Sequence, residues 1–542
     1  MPGMGGIERP AQKPHRHPCK RQRPARCHRL SPRHERAQPC HGSARRGQRN
    51  VRNESFRESE INVTINSKKR CESSFPLQNQ VEKTMAKITG TGGDDRLGGT
   101  SAADILIGAG GDDVLIGRGG DDRLFGGNGI DTFYGGAGDD LIRPGSNDGA
   151  DLVFASIGND TIDFRDSLPA AGYASFEIDY RVLPGGIEAS IGKRGGTIAK
   201  GIDGSTDRLV NIQDSPDNWG LSIVGTPDDD VVRMNVAQDQ FMQFQAKGGS
   251  DRVFGGDGFD RLAYTTELTG GGIDVRITGY DGGAMNGTVT EDTGARDVFR
   301  RIDEVQGSRL DDIFRGGAGD DRFIGDAGDD RILGGDGFDL ARYDRSGLDG
   351  ILADLRAGEV MEEWTSGYGR IGSWIDQLRG IEWIRGSNGD DRFFGDGAAN
   401  RFEGRDGDDQ ARGGAGDDRL EGEGGDDRLF GEDGEDWLEA GAGSNRLDGG
   451  AGDDTLFSEG GSNILIGGSG GDQFRFAQAA GTHVIRDFAD GVDHLRFDGA
   501  ARLADIGRAR DGADSILTFG DQTVRVLGVL PGDLGPDDFL FA

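Results

Sequence analysis

The sequence predicts an all-β fold, a parallel β-roll or β-solenoid preceded by a disordered N-terminal segment, and three coincident periodicities predict it. Residues 386–475 divide without a gap into ten nonapeptides. Position four is Gly in every one except at Ala398. Position six reads Asp391, Asn400, Asp409, Asp418, Asp427, Asp436, Asn445, Asp454, Asn463 and Asp472. Position eight reads Phe393, Phe402, Ala411, Leu420, Leu429, Leu438, Leu447, Leu456, Leu465 and Phe474. Glycines at positions one, two and four admit positive φ and close backbone approach, so the first six residues form a turn. The last three form a short strand, whose alternation sends position eight inward and positions seven and nine outward. Two nonapeptides close one coil. Coils stacked at about 4.8 Å bring each turn's Asp over the next, building carboxylate columns along both edges. Such columns repel themselves unless a cation lies between them. A solvated Gly/Asp linker has no reason to keep Leu or Phe at every ninth position.

This nonapeptide, G-G-x-G-x-D-x-U-x, resembles the repeats-in-toxin (RTX) hemolysin-type calcium-binding repeat, and the resemblance covers most of residues 86–542. The resemblance implies Ca²⁺ as cofactor, held by position-six aspartates and backbone carbonyls of consecutive turns. Carried over position by position, the implied metal residues are Asp95, Asp104, Asp113, Asp122, Asp131, Asp140, Asp251, Asp260, Asp312, Asp321, Asp330, Asp339, Asp391, Asp409, Asp418, Asp427, Asp436, Asp454 and Asp472. An acid-rich, all-oxygen donor set suits a hard, irregularly coordinated cation better than zinc or copper.

Taken in order, the chain opens with a basic segment at 1–84. It holds 19 Lys and Arg against 7 Asp and Glu, which leaves 43 against 88 for the remainder. All four cysteines (Cys19, Cys27, Cys40, Cys71) lie there without zinc-finger spacing. The segment reads as disordered. Met85, just before the first repeat, is expected to be the true start, with the upstream stretch an artefact of the gene model. Nonapeptides fill 85–164, six of them unbroken from Gly90 to Arg143, and Asp151 and Asp160 mark two looser units. An insert at 165–224 is followed by repeats at 225–263, an insert at 264–306, repeats at 307–342 and an insert at 343–385. A superperiod joins these parts: Asp260, Tyr264, Asp297 and Asp312 recur 79 residues later as Asp339, Tyr343, Asp376 and Asp391. The inserts are expected to be longer coils of the same solenoid rather than independent domains. After the ten-unit run at 386–475, residues 476–542 are richer in large apolar side chains and read as the cap that an open solenoid end requires. They resemble the C-terminal region of serralysin-type metalloproteases. The last residues, Asp537-Asp538-Phe539-Leu540-Phe541-Ala542, resemble the terminal signal read by type I secretion machinery in that family.

With 98 glycines and a net charge of −33, the composition is not that of an ordinary globular domain. No stretch of eighteen apolar residues occurs, so no membrane-spanning helix is expected. The acidic solenoid and the absence of an aromatic platform in the basic segment argue against nucleic acid as partner. No H-E-x-x-H metalloprotease motif is present: His34-Glu35 is followed by Gln38. Gly467-Gly468-Ser469-Gly470-Gly471 matches a nucleophile elbow in letters only, because it lies inside a nonapeptide. His483 and His494 are expected to be structural. The function expected from the sequence is a secreted, extracellular or surface-associated calcium-binding protein, non-catalytic and adhesin-like or matrix-forming. It would be exported by a type I system and fold on meeting calcium. The alternative is a lyase or epimerase acting on extracellular polysaccharide, with Tyr264, Tyr343, Arg276 and Asp274 as candidate site residues. A membrane-lytic toxin lacks its apolar pore-forming region here.

Overall fold

The computed structural model describes residues 85–146, 150–165, 167, 174–212, 219–238, 240–265, 271–365 and 371–541. The expectations for residues 1–84, including the cysteine cluster, lie outside the described residues. Among the described residues the chain is all β, with two short 3₁₀ turns at Leu503–Asp505 and Pro536–Asp538. No described helix is long and apolar enough to cross a membrane.

Successive short strands alternate between two sheets, so each strand pairs with the one a full coil away. In the regular run that offset is eighteen residues: Leu420 pairs with Leu438 and Leu438 with Leu456, all parallel. The other sheet repeats the register, with Leu429 on Leu447 and Leu447 on Leu465. Position eight therefore stacks on itself. From Leu106 through Phe133, and from Phe393 through Phe474, every position-eight side chain is fully buried. Each removes apolar surface from water without needing a thick core, which is how such short strands become stable. Outward positions carry arginines over aromatic rings, as Arg419 lies over Trp437 and Arg412 over Phe430.

The smaller sheet has 18 described strands in one open parallel ladder, from Arg96–Gly98 to His494–Phe497, with a bridge from Leu495 to Phe539 closing its far end. The larger has 27, and the inserts account for much of the difference. Each insert adds a three-stranded antiparallel meander to that sheet in place of a single longer coil. In the first, the chain enters at Ile187–Gly192, turns back through Gly195–Lys200 and ends at Thr206–Val210. Its last strand lies parallel on the preceding coil and its first strand receives the following one. The second insert (Ile273–Asp281, Ala284–Glu291, Arg296–Ile302) repeats this path. So does the third (Gly350–Asp354, Glu359–Thr365, Ile371–Arg379). The C-terminal region ends in a fourth such meander, in which Gln522–Val526 docks on Gly481–Ile485. Its outermost strand, Gly507–Asp511, pairs on one side and is exposed along its length.

Candidate metal sites

The turns are stitched by two hydrogen-bond columns. In most turns the backbone N–H of the position-six residue donates to the side-chain Oδ1 one coil further on: Asp409 to Asp427 at 2.9 Å, Asp418 to Asp436 at 2.8 Å, Asp436 to Asp454 at 2.9 Å. The position-five acid runs the opposite way. Asp408 donates its N–H to Asp390 Oδ1 and Asp426 donates to Asp408 Oδ1. This second column was missed in the sequence, where the Asp-Asp doublets at 112–113, 121–122 and 417–418 were its signal.

The ladder uses one oxygen of each position-six carboxylate. The other, Oδ2, is buried without a hydrogen-bond partner in Asp113, Asp122, Asp131, Asp140, Asp251, Asp330, Asp339, Asp409, Asp418, Asp427, Asp436, Asp454 and Asp472, as is Oδ1 of Asp260. A buried acceptor left unmade is costly, so its recurrence once per turn calls for a ligand. The space beside it is shaped by the position-one glycine. A Cβ on Gly431 would lie 2.1 Å from Asp436 Oδ2 and 2.5 Å from the carbonyl oxygen of Gly449, the position-one residue of the next coil. That hollow is bordered by one carboxylate oxygen and one carbonyl oxygen. Among the described residues no three acidic, His or Cys side chains converge at ligand distance, so backbone carbonyls must complete any cation's shell.

Burial raises these carboxyls. Asp409 is pushed up to about 8 by desolvation, with Asp391 and Asp427 adding repulsion. Asp131, Asp140, Asp418 and Asp454 reach about 7, and Asp122, Asp427, Asp436 and Asp472 about 6, desolvation being the leading cause in each. Without a cation a proton takes its place.

Five of the sequence-predicted residues differ. Thr91 donates its N–H and its hydroxyl to Asp95 Oδ2 at 2.5 and 2.8 Å, and Thr100 does the same for Asp104 at 2.5 and 2.9 Å. Ser308 caps Asp312, and Ser387 caps Asp391, each through backbone N–H and hydroxyl. Asp321 accepts from Gly317 N–H and from the Tyr280 hydroxyl. The sequence reading passed over Asp230, which Thr226 caps in the same manner, and the insert acids Asp207, Asp297 and Asp376. Each of those three receives the N–H of the previous turn's Asp on Oδ1 and a buried tyrosine hydroxyl on Oδ2. In the first insert the protein supplies its own cation. Lys200 Nζ, buried, lies 2.6 Å from Asp207 Oδ1, 3.6 Å from Asp160 Oδ2, and 2.7 and 2.5 Å from the carbonyl oxygens of Ser156 and Gly158. Two carboxylates and two turn carbonyls around an ammonium show directly that this corner of the coil is a cation-binding donor set.

The family model of the RTX calcium-binding nonapeptide repeat matches residues 89–124, 116–148, 146–163, 245–263, 306–341, 378–411, 403–438, 412–447 and 439–474. The chain carries RTX calcium-binding nonapeptide repeats. It binds Ca²⁺. The RTX matches leave out 164–244, 264–305 and 342–377, where the meanders lie, and the cap after 474. No curated protein matches the chain. Among solved structures, the extracellular lipase LipA from Serratia marcescens aligns over 72% of this chain and 45% of its own, at 14% identity and a TM-score of 0.18. The chain thus spans under half the length of that structure.

The residues named for a polysaccharide enzyme are split apart. Tyr264 and Tyr343 are fully buried, with their hydroxyls on Asp297 and Asp376. Arg276 is exposed on the outer face, and Asp274 pairs there with Arg315. In the cap, His483 is buried with Nδ1 3.1 Å from Ser458 Oγ, and burial pulls it down to about 4.

Proposed function

We propose that this calcium-binding solenoid is secreted, non-catalytic and folded by calcium outside the cell, where it serves as a surface, matrix or adhesin-like protein. The observation that carries this reading is the unpartnered carboxylate oxygen repeated from turn to turn. A chain whose interior edges hold that many buried acids is self-repelling until cations arrive. With sites of Kd near 10⁻⁴ M, millimolar calcium stabilises each by about 1–2 kcal/mol, and submicromolar cytosolic calcium by almost nothing. The chain would therefore stay open inside the cell and pass through a type I exporter before folding. The C-terminal segment fits that order of events. In the folded chain Asp538 is buried, accepting from Gly491 and Gly535, and Phe539 is buried against the end of the smaller sheet. A signal in this segment is readable only before folding.

A groove of about 490 Å³ beside the third insert, lined by Arg331, Arg379, Leu333 and Asp336, favours an acidic polysaccharide as surface partner. Arg331 and Arg379 line it on a chain that is otherwise strongly acidic. The test incubates the full chain, in millimolar calcium, with a uronate-rich polysaccharide. Retention without formation of unsaturated sugar ends is expected. Turnover of the polymer would overturn the non-catalytic reading in favour of a lyase.

A further inference from the structure

On the outer face of the smaller sheet the arginines are neutralised in place. Arg261 and Arg342 share Glu304, Arg401 holds Glu403 and Glu421, and Arg419 holds Glu421 and Glu439. The outer face of the larger sheet differs over seven neighbouring strands. In spatial order these are Arg252–Phe254, Arg296–Ile302, Ala284–Glu291, Ile273–Asp281, Ile313–Arg315, Arg331–Leu333 and Ile371–Arg379, each hydrogen-bonded to the next. Arg252, Arg276, Arg296, Arg300, Arg331 and Arg379 are exposed on them. Among the described residues none of the six has an acid within ion-pair reach, and Asp274 on the same face is already taken by Arg315. Acids bound this band on both sides. Arg233 on the strand before it pairs with Glu188, and the strand after it exposes Glu359 and Glu363.

Two places in the band are equivalent. Arg252 and Arg300 recur 79 residues later as Arg331 and Arg379. Their register recurs too: Arg252 lies opposite Val298 and Phe254 opposite Arg300, as Arg331 lies opposite Gln377 and Leu333 opposite Arg379. Each pair therefore sits where the last strand of a meander docks on the repeat strand before it. Five strand spacings separate the two, about 24 Å at about 4.8 Å per strand. Arg296 and Arg300 flank Arg252 on the diagonal, about 7–8 Å away and within reach of long side chains. The same junction in the first insert lacks the pair: Val210 stands opposite Asp163, which Arg143 and Arg165 neutralise. Clustered cations that the fold leaves without acids, on a chain of net charge −33, point to an anionic ligand.

We propose that this face binds a polyuronate lying across the strands and held at both arginine pairs at once. The proposal rests on the acidic-polysaccharide reading of the groove at Arg331 and Arg379, and adds an equivalent station at Arg252 and Arg300. A guanidinium presents a planar fork that meets a carboxylate through two parallel hydrogen bonds. Thr288, half-buried, and Thr290, exposed, lie on a strand between the stations and supply hydroxyls for sugar hydroxyls. Among the described residues these strands expose no aromatic ring on which a base would stack, which disfavours single-stranded nucleic acid. With two stations the second contact becomes intramolecular, so a polymer that spans both binds far more tightly than one that reaches either alone.

Titration calorimetry of the full chain in millimolar calcium tests this with two oligouronates, one that reaches a single station and one that spans both. The longer is expected to bind wild type about 100-fold more tightly than the shorter. Arg252→Ser with Arg300→Ser, and separately Arg331→Ser with Arg379→Ser, are each expected to bring the longer oligomer down to the affinity of the shorter. Their β-sheet circular dichroism in calcium is expected to be unchanged, and where a serine pair disturbs the fold the corresponding glutamine pair carries the test. Equal affinity of wild type for both lengths, with weakening only in the variant at 331 and 379, overturns the two-station site and leaves the groove standing. Undiminished binding in both variants, as calcium bridging between carboxylates would give, overturns the groove as well. Equally tight binding of single-stranded DNA of matched charge overturns polyuronate as the ligand class.

Discussion

Asp391 and Asp418 occupy the same position of the same nonapeptide, three repeats apart, and meet opposite surroundings. Asp391 opens its run. Its neighbour on one side is a meander strand, through the N–H of Ile351, and Ser387 donates both N–H and hydroxyl to it. Asp418 lies inside the run between two glycine turns, has Gly414 where Asp391 has Ser387, and keeps one buried oxygen without a donor. The same contrast returns at Asp95 and Asp104 with Thr91 and Thr100, and at Asp312 with Ser308. A hydroxyl at position two therefore makes a turn that satisfies itself, whereas Asp418 and the other ladder acids without such a cap keep an oxygen that needs an ion. The runs begin with the first kind and continue with the second.

The sharpest way to break this contrast is to delete each carboxylate in turn. Asp418→Ala should lower the number of bound calcium ions, counted by equilibrium dialysis, and shift calcium-induced folding to higher calcium. Asp391→Ala should leave the ion count unchanged and cost about 1–3 kcal/mol through lost hydrogen bonds, read from the denaturation midpoint in saturating calcium. Equal loss of calcium in both variants would erase the distinction.

A smaller effect follows from the raised carboxyls. Asp409 at about 8, and Asp131, Asp140, Asp418 and Asp454 at about 7, lie above the ordinary aspartate value of about 3.9. The metal-free fold thus binds protons that the unfolded chain does not. Its stabilisation by protons is complete below about pH 4 and is lost as pH rises through 6 to 8. In EGTA, acidification from pH 8 to 5 should increase β-sheet circular dichroism. With calcium titrated in at pH 6.5, protons should be released into a weak buffer as the ions displace them. Loss of order on mild acidification would contradict the assignment of burial as the cause.

Much of this was legible because the nonapeptide states its chemistry locally. Position eight alone fixed the inward face, and Leu420, Leu438 and Leu456 stack in register as the eighteen-residue coil requires. The meanders were not legible. Segments such as Ile273–Asp281 alternate as any half-buried strand does, and nothing in that alternation tells whether the next strand continues the coil or turns back on it. Lys200 escaped for the same reason: its meaning comes from Ser156 and Gly158, more than forty residues earlier, which the meander brings to its ammonium. The distinction between Asp391 and Asp418 was written at position two, yet a Ser among glycines reads as turn chemistry until its hydroxyl is seen on the carboxylate.

The central claim is that calcium is what lets the glycine turns close. Small-angle scattering on the full chain, in EGTA and then in millimolar calcium at pH 7.5, tests it most directly. An expanded chain in EGTA that contracts when calcium is added is the predicted result. A compact, β-rich particle in EGTA, unchanged when calcium is added, would contradict it even if calcium still bound.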